Sequence, residues 1–78
     1  MEVRERVRRF IQDSFLVDEV KDDESFLASG IIDSLGVMQL VTFVEHEFNV
    51  RIADSELVPD NFDSVERVSA FVERKLAA

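Results

Sequence analysis

A chain of 78 residues with no cysteine and a net charge of −8 has room for one small core, no disulfide and no thiolate metal site. Its charge has the wrong sign for a nucleic-acid binder, which must neutralise phosphates with basic residues. No apolar run approaches the roughly 20 residues of a membrane span, and Glu2, Arg4, Glu5 and Arg6 interrupt any secretory apolar segment at the start, so a soluble cytoplasmic protein that binds neither nucleic acid nor membrane is expected.

Val3, Val7, Phe10, Ile11 and Phe15 recur at helical spacing between Arg and Glu residues, which predicts an amphipathic helix over residues 2–15 with its stripe in the core. Glu2 with Arg6 and Glu5 with Arg9 stand four apart and would add modest support. Leu16 to Ile32 follows as a long connection carrying Asp18, Glu19, Asp22, Asp23 and Glu24. Connections of this length need packing or a function, and Phe26 and Leu27 are expected to pin this one to the bundle. Asp22-Asp23-Glu24 is not a calcium loop, because Leu27 occupies the position where the turn glycine is required.

Gly30-Ile31-Ile32-Asp33-Ser34-Leu35 leads into the second long helix, predicted to run unbroken to Phe48. Asp33 and Ser34 are both residue types that start helices, since their oxygens accept from the first free amides. On a wheel, Val37, Leu40, Val41, Val44 and Phe48 share an arc of roughly 100° and form the core face. Leu35, Met38 and Thr42 centre roughly 140° away. Two apolar side chains beside Ser34 therefore face solvent as a small partner-binding patch, bordered by Glu45 on one side and by Gln39 and His46 on the other, unless the loop folds over them.

Asn49 to Ala53 ends that helix. Residues 54–58 are expected to form a short helix halted before Pro59, with Asp60, Asn61 and Asp63 turning about a buried Phe62. Ser64 caps a last helix whose core stripe is Val65, Val68, Phe71, Val72 and Leu76. The expected fold is all-α: a small irregular four-helix bundle of three main helices plus one short helix with a long first loop, in a single domain over residues 1–78.

Residues 16–58 hold two of the nine basic residues and ten of the seventeen acidic ones, so the acidity surrounds Ser34. The single histidine, His46, lies about 18 Å from Ser34 along the helix axis and cannot activate it. A nucleophile without a base makes an independent enzyme an unsupported reading, and no dedicated metal site is visible. Ser34 is then either a plain helix cap or a serine presented for modification, where a phosphate would meet the positive helix end.

The run Gly30-Ile31-Ile32-Asp33-Ser34-Leu35, followed by Leu40-Val41, Glu45-His46-Glu47-Phe48, Val50, Ile52, Asn61-Phe62-Asp63-Ser64-Val65 and Phe71-Val72, resembles the acyl carrier proteins and the related peptidyl and aminoacyl carriers over essentially the whole chain. The resemblance implies that Ser34 carries 4′-phosphopantetheine from coenzyme A, attached by a Mg²⁺-dependent phosphopantetheinyl transferase, with an acyl or aminoacyl group held as a thioester on the arm. It also implies a monomer in which Asp33, Leu35, Met38 and Glu45 meet partner enzymes. Gly36, Gln39 and His46 stand where fatty-acid-synthesis carriers have acidic residues, and Phe43 is bulkier than its counterpart there and would restrict a cavity for long acyl chains. Ser-Leu-Gly looks more like stand-alone carriers loaded by acyl- or aminoacyl-adenylate ligases, so a dedicated pathway is expected over housekeeping fatty acid synthesis. The alternative is an unmodified acidic helical adaptor that binds a basic partner.

Overall fold

A computed structural model describes residues 2–77; the two end residues of the expected 1–78 domain lie outside the described residues. Five α-helices follow one another: α1 (Val3–Phe15), α2 (Phe26–Ser29), α3 (Ser34–Phe48), α4 (Pro59–Phe62) and α5 (Val65–Ala77), with a 3₁₀ turn at Asp54–Glu56. The all-helical bundle of three long helices is as expected, and no strand occurs among the described residues. No described helix is long and apolar enough to cross a membrane.

The three long helices contribute most of the core. Val7 and Ile11 come from α1, Leu40, Val41 and Val44 from α3, and Val65, Val68, Phe71 and Val72 from α5. Each such side chain contributes about 1.5–3 kcal/mol by leaving water. The connections add Val20, Phe26, Ile32 and Phe62, which are equally buried, so the long first loop is tied down along its length. Phe43 stacks on Phe10 with ring centroids 4.1 Å apart and meets Phe48 edge-on. Its bulk is thus spent joining α3 to α1.

Several local expectations change. Of Phe26 and Leu27, only Phe26 is buried; Leu27 is 51% exposed, because residues 26–29 wind into a helical turn that points successive side chains in different directions. Leu76, at helical spacing in α5, is 52% exposed. Pro59 does not merely stop a helix: it is the first residue of α4, where its missing N–H costs nothing and its fixed φ suits the helix. The short helix expected over residues 54–58 shrinks to the 3₁₀ turn.

The arginines of α1 reach off their own helix. Arg4 and Arg8 both pair with Asp22, the former at 3.2 Å, and Arg6 pairs with Glu47 on α3. Arg9 does not form the expected pair with Glu5. A carboxylate fixed on a neighbouring element satisfies two guanidinium groups at once, whereas an exposed pair within one helix gains little. Asp22 also accepts from Glu66 N through its carbonyl at 2.9 Å, which ties α1, the first connection and α5 together.

Candidate functional site

The mouth of α3 is built by Asp33. Its carboxylate Oδ1 accepts from Gly36 N at 2.8 Å, and its carbonyl accepts from Val37 N at 3.0 Å, so Asp33 alone is the N-cap. Ser34 is the first helical residue, exposed, and its hydroxyl has no hydrogen-bond partner among the described residues. The plain-cap reading of Ser34 therefore fails: the aspartate before it does that work. The amides of Ser34 and Leu35 also find no acceptor among the described residues. A phosphoryl group on the serine oxygen would meet free N–H groups and the positive end of a 15-residue helix.

Gly36 explains how the mouth is seated. A Cβ there would lie 2.8 Å from Phe15 Cε1 and 2.9 Å from Ile32 Cγ2. The Phe15 ring, at the end of α1, rests directly on the glycine. The departure from an acidic residue at this position is thus a packing requirement, which locks the first turn of α3 against α1 and the chain leading to Ser34.

On one side of the mouth lies an apolar cleft of about 270 Å³. Phe26 and Leu27 of α2 form one wall, Leu57, Val58, Pro59 and Phe62 the other, and Ser34 and Val37 border it on α3, with Asp63 as its carboxylate. The 4′-phosphopantetheine group implied by the resemblance fits these residues. Ser34 would offer an exposed hydroxyl for the phosphodiester, the helix end would favour its charge, and the adjoining cleft would give an apolar surface to the pantetheine portion.

Three of the residues expected to meet partners, Asp33, Leu35 and Met38, lie at the cap and first turns of α3. Asp33 and Leu35 border a second recess together with Phe15, Ile31 and Gln39. Met38 borders a third groove with Phe10, Gln39, Thr42, Phe43 and His46, so Gln39 joins the two. Leu35 is 79% and Met38 52% exposed; the loop does not cover them. Glu45 stands apart, because its Oε2 accepts from Ile52 N at 3.0 Å and holds the chain leaving α3. His46 is exposed on the same helix as Ser34 and three turns beyond it.

Asp63 is the residue that sequence reasoning undervalued. The sequence places it in a turn, yet its backbone and side chain together hold the start of α2. The available signal was Ser25, a helix-capping residue type three positions before Ala28.

The family model described as phosphopantetheine attachment site matches residues 3–72. A D-alanyl carrier protein from Streptococcus gordonii is 30% identical over 70 residues, covering 87% of each chain. The solution structure of a holo acyl carrier protein from Nitrosomonas europaea superposes with a TM-score of 0.83 at 25% identity, covering 100% of both chains. A chain from the Bradyrhizobium japonicum glycine:[carrier protein] ligase complexed with glycylated carrier protein superposes with a TM-score of 0.69 at 28% identity, covering 88% of this chain and 92% of that one.

Proposed function

The chain belongs to the phosphopantetheine-attachment family of acyl carrier proteins, and we propose that Ser34 is the residue to which its cofactor, 4′-phosphopantetheine, is attached. The observation that carries this is the division of labour at the mouth of α3. Asp33 caps the helix through Gly36 N, which leaves the Ser34 hydroxyl exposed and unengaged. Residues 1–78 act as one carrier domain.

The cofactor supplies a terminal thiol on which an acyl or aminoacyl group is held as a thioester. The chain's own residues do the rest without bond-making chemistry. Asp33 fixes the first turn, Gly36 and Phe15 hold its angle, and the free amides of Ser34 and Leu35 stabilise the phosphodiester charge. Leu35 and Met38 offer apolar contacts on either side of Gln39. The acidic surround attracts the basic surfaces of a transferase and of loading enzymes, which speeds encounter without making the complex long-lived.

The cargo is an aminoacyl group in a dedicated pathway. Support comes from the D-alanyl carrier protein and from the glycylated carrier seen with its ligase, both similar to this chain. Phe43, stacked on Phe10, occupies space that a long acyl chain would need. An aminoacyl-adenylate ligase is the partner this cargo requires, and the cytoplasm, where coenzyme A and ATP are available, is the compartment. The test is to modify the protein with coenzyme A and a transferase, digest it and fragment the peptides. The added mass is expected on Ser34; its location on any other residue overturns the assignment.

A further inference from the structure

The α2 helix is a single turn, and a single turn does not recover its own nucleation cost. Its internal bonds amount to Ser29 N to Ser25 O at 3.0 Å and Gly30 N to Leu27 O at 3.3 Å. Its remaining amides converge on one residue 36 positions away. Phe26 N donates to the Asp63 carbonyl at 2.8 Å, and Leu27 N donates to Asp63 Oδ1 at 3.0 Å. The Ser25 hydroxyl donates to Asp63 Oδ2 at 2.6 Å and accepts from Ala28 N at 3.1 Å. Each first-turn amide without a helical acceptor thus ends on Asp63, directly or through Ser25.

Asp63 is itself anchored, with its amide on the Pro59 carbonyl at 2.9 Å between buried Phe62 and buried Ser64. At the other end of α2, Gly30 has φ 78°, and a Cβ there would meet nothing within 4 Å. Left-handed backbone in open space is where a chain bends most freely. Between these points Leu27, Ala28 and Ser29 are exposed, while Phe26 is 1% exposed in the core. The mouth of α3 is fixed by contrast, through the Asp33 cap and through Phe15 and Ile32 against Gly36.

We infer that Asp63 is a positioning residue for the cleft beside Ser34: it latches α2, and the cleft widens when Leu27 to Ser29 swing away about Gly30 while α3 stays in place. Phe26 remains in the core as the pivot. The functional consequence, control of what the tethered arm finds beside its attachment point, rests on the Ser34 reading. The latch itself does not.

Amide hydrogen exchange under native conditions tests it on the wild-type chain and on Asp63→Ala, Asp63→Asn and Ser25→Ala. In Asp63→Ala, protection at Leu27 and Ala28 is expected to fall by about tenfold or more, with α3 and α5 unchanged. Asp63→Asn keeps an acceptor for Leu27 N and is expected to recover most of that protection. Ser25→Ala, which removes only the Oδ2 branch, is expected to expose Ala28 more than Leu27. Unchanged exchange in Asp63→Ala, or equal losses in α3 and α5, overturns the latch. Loading with coenzyme A and a transferase is run beside it. No gain in the wild type overturns the Ser34 reading while exchange still decides the latch.

Discussion

At the scale of residues, Asp33 and Ser34 are neighbours with opposite duties, and substitution separates them. Asp33→Ala removes the only side-chain cap of α3 and is expected to cost about 1 kcal/mol, lowering Tm by roughly 4–8 °C in a domain of this size. Ser34→Ala removes a hydroxyl with no hydrogen-bond partner among the described residues and is expected to stay within about 0.5 kcal/mol of the parent. Thermal melts of the two variants side by side check this; an equal loss in both would mean that Ser34 shares the capping. The position of the helix mouth was legible in sequence because Asp-Ser ahead of an unbroken apolar wheel marks a helix start. Which of the two residues caps was not legible, since both types perform that role and only backbone geometry assigns it. Gly36 was seen as a departure, but its reason, the Phe15 ring resting on it, is a contact between residues 21 apart that no local pattern encodes.

At the scale of elements, periodicity found the long helices and missed the single turns. α1, α3 and α5 each carry an apolar stripe over three or more turns, and their observed bounds lie close to those expected. α2 and α4 are too short to show a period. α2 is held by a partner outside it, Asp63, and α4 is started by Pro59 at its own first position. Leu27, expected to pin the first connection, and Leu76, at helical spacing in α5, are both exposed, which local pattern does not reveal. The 3₁₀ turn is held to α5 by Glu56, whose Oε1 lies 2.7 Å from Lys75 Nζ and accepts from Ala53 N at 2.8 Å. The Lys75 bond chiefly, with the Ala53 amide, holds this carboxyl below its ordinary value of 4.5. A depressed pKa contributes stability above the unfolded value that is lost as pH falls through the folded one. Denaturant titrations from pH 6 downward are therefore expected to show a shallower acid-side loss in Glu56→Gln than in the parent, beginning near pH 4.5. Identical slopes would show that the pair does not contribute.

At the scale of the molecule, the charge of −8 is arranged rather than scattered. The arginines of α1 draw Asp22 and Glu47 against the bundle. Repulsion among the remaining carboxylates opposes folding. Raising ionic strength from about 0.01 M to 0.1 M shortens the screening length from about 30 Å to about 10 Å, and Tm is expected to rise across that titration. A flat or falling Tm would show that the arginine pairs outweigh the repulsion. Overall charge distribution was readable from sequence; the pairing of specific arginines with Asp22 was not, because it depends on how the first connection folds back.

The most direct test of the carrier reading is the intact mass of the protein before and after incubation with coenzyme A, Mg²⁺ and a permissive phosphopantetheinyl transferase, with Ser34→Ala in parallel. One phosphopantetheine gained by the parent and none by the variant is the expected result. No gain by a well-folded parent, with a known carrier modified in the same tube, or an equal gain by Ser34→Ala, would contradict the account.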